Sequence, residues 1–159
     1  MTIIEEEIGR LLHEKRLTLG TVESATGGLI SHRITNVSGS SEYFKGSIVA
    51  YSNEIKIDVV GVRPETINNS GAVCADTAEE MAARGRVLLN VDICVADTGI
   101  AGPTGASPGK PVGLFYLGLS HRGGTFSRKR LFTGTREQNK QSAAEAALNW
   151  VKEYLESLK

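Results

Sequence analysis

Residues 17–34, LTLGTVESATGGLISHRI, read as a strand handed straight to a helix. Leu17 to Val22 form a short apolar run, and Leu29, Ile30, Arg33 and Ile34 continue at helical spacing. Between them lies the glycine-rich turn Glu23-Ser24-Ala25-Thr26-Gly27-Gly28, with a hydroxyl near its start. A strand-to-helix turn presents backbone N–H groups and the positive end of a helix dipole to whatever sits above it. That geometry suits a phosphate, a carboxylate or a developing oxyanion.

The flanking sequence extends the same alternation. Ile4, Ile8, Leu11 and Leu12 mark one face of an opening amphipathic helix. Ser47 to Tyr51 reads as a second strand, and Ser52 or Asn53 caps a short helix through Val60 that Gly61 ends. Pro64 to Ala72 is rich in turn formers, and a helix follows from Asp76. Val91 to Thr98 is almost continuously apolar, as a central strand covered on both faces must be. Val112–Ser120 and Thr125–Leu131 flank His121-Arg122-Gly123-Gly124 and predict an antiparallel hairpin. A closing helix runs from about Arg136 to Leu158. The predicted fold is α/β: one three-layer α/β/α domain over residues 1–159, with a mixed, mostly parallel sheet and a late antiparallel hairpin.

Composition narrows the functional classes. The chain has 159 residues, enough for one domain with a proper core. Eighteen basic residues balance eighteen acidic ones, so no global field argues for nucleic acid or an anionic membrane. Cys74 and Cys94 are too few for a disulfide framework and lack zinc spacing. The acidic N-terminus has no signal-peptide core, and no apolar stretch approaches a membrane span. The expected location is the cytoplasm.

Three segments carry candidate chemistry. Ser24 is either a helix cap or a nucleophile, and a serine attacks only when a base takes its proton. His13, His32 and His121 lie outside any site-like loop, which argues against a Ser-His-Asp triad. A lysine base is the remaining option, and it requires burial or neighbouring charge to lower its pKa. Lys56, in Tyr51-Ser52-Asn53-Glu54-Ile55-Lys56, is the best placed, as a base or as a solvated helix lysine. Tyr51 either relays a proton or packs with its hydroxyl at the rim. Thr98-Gly99-Ile100-Ala101-Gly102 follows the central strand as an anion-holding loop or a structural turn. Lys110 and Arg136 add charge able to hold a phosphate or carboxylate.

Taken in order, these segments resemble the CinA C-terminal domain family, whose single-domain members are nicotinamide mononucleotide deamidases. The likeness runs from about Leu17 to Leu158. It also draws on Gly39-Ser40-Ser41, Gly71-Ala72-Val73, Lys110-Pro111-Val112-Gly113 and Gly134-Thr135-Arg136. It implies a serine amidohydrolase without metal or organic cofactor, in which Ser24 is the nucleophile, Lys56 the base and Tyr51 an assisting phenol. Ser24 Oγ and Lys56 Nζ are then expected within hydrogen-bond reach. Backbone amides near Gly27 and Gly28 are expected to receive the oxyanion. Thr26, Gly27, Gly28, Thr98, Gly99, Gly102, Lys110 and Arg136 are the expected substrate-binding residues. Burial, with Arg136 or Lys45 nearby, is expected to lower the Lys56 pKa.

Ala25 stands where the family often has Cys, Cys74 where it often has Ser, and Asn139-Lys140 where an apolar-Arg pair is usual; Asp97 is also unusual. Larger CinA proteins carry an N-terminal domain acting on a nucleotide pyrophosphate, an activity not expected of this sequence. The expected partners are a small-molecule nucleotide and further copies of the chain, with neither nucleic acid nor membrane. The alternative reading is a non-catalytic nucleotide-binding or assembly module of the same fold.

Overall fold

A computed structural model describes residues 2–159. Its five strands are β1 (Leu19–Glu23), β2 (Phe44–Val49), β3 (Ile93–Gly99), β4 (Leu114–His121) and β5 (Gly124–Leu131). They form one sheet in the order β2-β1-β3-β4-β5. β1 pairs in parallel with both β2 and β3, while β3–β4 and β4–β5 are antiparallel. Only β4 opposes the common direction, so the expected mixed sheet with its late hairpin is the one observed.

Side-chain alternation along the strands builds two cores. Leu19, Ile93, Val95, Leu117 and Leu119 pack against Ile8, Leu11 and Leu12 of α1 (Ile4–Lys15) and Ile30 and Ile34 of α2 (Leu29–Thr35). Ala144, Ala147, Leu148, Val151 and Leu155 of α6 (Arg136–Ser157) complete that layer. Val22, Cys94 and Ala96 point the other way, toward Met81 and Ala82 of α5 (Ala75–Leu88). The short α3 (Asn53–Ile55), continuing into a π-turn over Lys56–Val60, and α4 (Pro64–Ser70) lie beside α5 and share its core through Val60 and Ile67. Among the described residues no helix is long and apolar enough to cross a membrane.

Two sequence expectations are corrected. The second strand occupies Phe44–Val49 rather than Ser47–Tyr51. Lys45-Gly46 resembles a loop, yet parallel pairing with β1 carries the ladder from Phe44 to Val49, and Tyr51 falls beyond its end. Pro64 to Ala72 is not simply turn: α4 starts with Pro64 at its first position, where a missing N–H costs nothing, and buries Thr66 and Ile67 before Gly71 (φ 84°) ends it. The short helix capped by Ser52, whose Oγ accepts the Ile55 N–H at 3.1 Å, is as expected, as is its termination by Gly61.

The sheet approaches α5 closely because β4 carries a glycine there. A Cβ at Gly118 would lie 2.2 Å from the Ala78 carbonyl oxygen, a backbone atom that cannot yield without moving the helix. Gly118→Ala is therefore expected to cost about 1–3 kcal/mol, read as a lowered denaturation midpoint. An unchanged midpoint would mean that α5 does not sit this tightly on β4.

Candidate active site

The sheet ends where β1 delivers Glu23, and this residue organises the turn. Gly28, at the helix N-cap, has no side chain to satisfy the first amides of α2. The buried Glu23 carboxylate satisfies them instead. Its Oε1 accepts the N–H groups of Gly28 (3.1 Å) and Ile30 (2.8 Å), and Oε2 accepts that of Ser31 (2.9 Å). The Thr21 hydroxyl at 3.0 Å and the Ser47 hydroxyl at 3.3 Å also approach Oε2. Gly27 and Gly28 reverse the chain at φ 61° and 101°, values that favour glycine. The Gly27 N–H donates to the Ser24 carbonyl at 2.9 Å. This corrects the expectation that the Gly27 and Gly28 amides receive an external anion: one is spent on the turn and the other on Glu23.

With the turn held from within, Ser24 lines a cavity of about 460 Å³. Tyr51, Asn53, Lys56, Thr98, Gly99, Ile100, Ala101, Thr104 and Arg136 also line it. Ser24 is 7% exposed, and its Oγ makes no hydrogen bond to any described residue. Lys56 is only 2% exposed; its ammonium donates to the carbonyls of Ala50 (2.9 Å) and Tyr51 (3.2 Å). Burial lowers its pKa from the ordinary lysine value, while the Asp97 carboxylate pulls it back up. Lys45 has no part in this, since its ammonium caps the Asn90 carbonyl at 2.8 Å. The expected direct hydrogen bond between Ser24 and Lys56 is not present; two of the three ammonium protons are spent on backbone carbonyls. The two side chains nonetheless face one cavity.

Tyr51 is 59% exposed, and its hydroxyl accepts from Arg136 Nη2 at 2.9 Å rather than meeting Ser24 or Lys56. Arg136 Nη1 also donates to the Gly102 carbonyl at 2.8 Å, so the guanidinium ties the glycine loop to the phenol. The expected binding set thus divides. Thr98, Gly99 and Arg136 share the cavity with Ser24, whereas Gly102 is reached only through Arg136. Thr26, Gly27 and Gly28 line a separate depression with His32 and Lys140. Lys110 donates to the Ser70 carbonyl at 2.6 Å and does not line the cavity. Ala25 and Ala101 also line it, and their N–H groups find no protein acceptor among the described residues. Among those residues no cluster of His, Cys, Asp and Glu is arranged to hold a metal.

Two residues that shape this site carry little weight in the sequence reading. Asn139 is buried, donating to the Ala101 carbonyl at 3.0 Å and accepting the Gly134 N–H at 2.9 Å, so it pins the loop from α6. Asp97 is fully buried and accepts the N–H groups of Ser24 and Thr26, both at 3.1 Å. The available signal was an acid ending the apolar run Ile93-Cys94-Val95-Ala96.

Residues 1–155 match the CinA C-terminal domain family. The chain belongs to that family. A CinA-like protein of Sulfurihydrogenibium sp. is 46% identical over 152 residues, which cover 96% of this chain and 38% of that protein. The chain therefore spans well under half the length of the curated CinA relatives it matches. A competence or damage-inducible protein from Enterobacter asburiae has the same fold at TM-score 0.92 and 32% identity, over 96% of each chain. The competence/damage inducible protein CihA from Agrobacterium tumefaciens superposes at TM-score 0.89 with 34% identity, over 99% of this chain and all of that one.

Two stability measurements follow from this CinA site. Glu23→Gln replaces one acceptor oxygen by a donor facing backbone amides, and should cost about 1–3 kcal/mol. A neutral outcome would mean that the α2 amides are satisfied otherwise. Lys56 has its pKa lowered in the folded state, so below that value both states hold the proton and stability is flat. Between the lowered value and the ordinary one only the unfolded chain holds it, and stability rises with pH. Wild type should therefore gain on Lys56→Met as pH climbs through that window; a pH-independent difference would mean an unshifted lysine.

Proposed function

We propose that this CinA domain is a serine amidohydrolase that converts nicotinamide mononucleotide to nicotinate mononucleotide and ammonia, with Ser24 as nucleophile and Lys56 as base. The observation that carries the reading is the pairing of an unengaged serine hydroxyl with a buried, pKa-lowered lysine in one cavity. A neutral amine at that position is what serine chemistry without histidine requires. Family membership adds support, since the segments bearing Ser24, Tyr51 and Lys56 all fall within the matched residues.

In the reaction, neutral Lys56 takes the Ser24 proton as Oγ bonds to the carboxamide carbon. The oxyanion falls to the Ala25 N–H, with the Ala101 N–H as a second donor on the opposite loop; such donors are worth about 3–4 kcal/mol each. The C–N bond breaks as Lys56 returns the proton to the leaving nitrogen, releasing ammonia and leaving an ester on Ser24. Water then attacks the ester carbon, passing a proton to Lys56. The C–O bond to Ser24 breaks, and Lys56 returns that proton to Oγ. Arg136, steadied by Gly102 and Tyr51, supplies positive charge for the substrate phosphate, with Thr98 and Gly99 shaping the wall. Tyr51 acts here by orienting Arg136.

The second reading, nucleotide binding without turnover, draws on the two carbonyls that hold the Lys56 ammonium away from a bond to Ser24. Ammonia release separates the two. Wild type should release ammonia and nicotinate mononucleotide in equal amounts; Ser24→Ala should fall to background and Lys56→Met should lose about 10²–10⁴-fold in kcat. Substrate binding with no ammonia from wild type, or undiminished release by Ser24→Ala, would overturn the amidohydrolase.

A further inference from the structure

Glu23 and Asp97 are brought together by register. β1 and β3 are parallel and pair from Leu19↔Ile93 to Val22↔Ala96. The next residue of each strand is an acid, on the face that carries Leu19, Ile93 and Val95. Both acids are fully buried. Between them stands Thr26, whose Oγ1 lies 2.8 Å from Glu23 Oε1 and in hydrogen-bond contact with Asp97 Oδ1.

A threonine hydroxyl has one proton to give. With both acids ionised, one of its two contacts would set an oxygen lone pair against an anionic oxygen, with no proton between them. The network is complete when one carboxyl supplies the missing hydrogen. Glu23 already has both oxygens occupied by donors, three of them amide N–H groups. Asp97 accepts two, from Ser24 and Thr26. The extra proton therefore belongs to Asp97, donated to Thr26, which donates onward to Glu23.

We propose that Asp97 holds this proton as a positioning residue, and that its presence or loss sets the basicity of Lys56. Burial pushes the Asp97 carboxyl up to about 6, the neighbouring Glu23 charge adding to the effect and the Thr26 hydrogen bonds opposing it. Other charges facing this point are few. Lys56 approaches from the π-turn; from α6, Arg136 lines the Ser24 cavity, and Glu137 and Lys140 line the depression that Thr26 shares. β4 sets apolar Leu117 opposite Asp97. Protonated Asp97 no longer pulls on the ammonium, so burial favours the free amine against only the two backbone carbonyls. Ionised Asp97 stabilises the ammonium and withdraws the base. The same carboxyl holds the backbone of Ser24, so one group fixes the nucleophile and tunes its partner.

The role of Lys56 as a base rests on the proposed amidase reading, but the proton positions do not, and they are read without substrate. The chain has four aspartates, Asp58, Asp76, Asp92 and Asp97, so carboxyl-labelled aspartate gives a sparse carbon NMR spectrum of the full chain. One resonance, absent from Asp97→Asn, should titrate well above the other three. Lysine side-chain NMR should show the Lys56 midpoint displaced to lower pH in Asp97→Asn by on the order of one pH unit. The asparagine amide can donate to Thr26 as the acid does, which favours folding. If that variant does not fold, the wild-type aspartate titration decides alone. Four aspartates titrating together, or a Lys56 midpoint unmoved by Asp97→Asn, would overturn the proposal. Failure of ammonia release with these titrations intact would count against the amidase and leave the Asp97 proton in place.

Discussion

The site depends on the Glu23 carboxylate folding back onto the first amides of α2. A helix that begins at a glycine N-cap must find acceptors for its leading N–H groups, and an unpaired buried amide costs about 1–3 kcal/mol. By meeting them from inside the turn, Glu23 closes the helix terminus to outside anions. Ala25 and Ala101, whose N–H groups have no protein acceptor among the described residues, line the cavity, and the proposed reaction draws its oxyanion donors from them. Glu23 also fixes where Ser24 leaves the strand. The nucleophile candidate is thus placed by a capping contact one residue away.

Around that constraint the cavity is assembled from separate stretches of chain. The π-turn brings Lys56 inward directly after the exposed run 51–55, with its ammonium on the carbonyls of Ala50 and Tyr51. π-turns often mark functional positions because the extra residue redirects one side chain. Asn139 on α6 ties down the loop after β3, and Arg136, one helical turn earlier, ties that loop to Tyr51. The polar groups that shape the cavity mostly bond to one another or to backbone. What remains unengaged is the serine hydroxyl and a few amides.

The sheet, its helical layers and the hairpin were legible because burial leaves a periodic trace. Val91 to Thr98 could hardly be anything but a central strand, and Gly123 marked the hairpin turn. The sequence shifts the second strand to Ser47–Tyr51 because Lys45-Gly46 imitates a loop when parallel pairing is unseen. α4 is hidden in the sequence because Asn68-Asn69-Ser70 looks like a turn, and Pro64 marks a turn as readily as a helix start. Ser24, Lys56 and Tyr51 were found from local context, and the structure gathers them at one cavity. Spacing does not reveal which amides are already spent or that Tyr51 bonds to Arg136. The adjacency of Glu23 and Asp97 depends on strand register, so 74 residues of separation hid it.

The proposed amidase passes through an acyl ester on Ser24, and trapping that intermediate tests it most directly. Hydroxylamine added during turnover of nicotinamide mononucleotide should attack the Ser24 ester, giving the nucleotide hydroxamate and free serine. Acid-quenched protein should carry the nicotinate mononucleotide acyl group on the peptide containing Ser24. Ammonia release with no acylated peptide and no hydroxamate formed through the enzyme, or acylation at another residue, would contradict it.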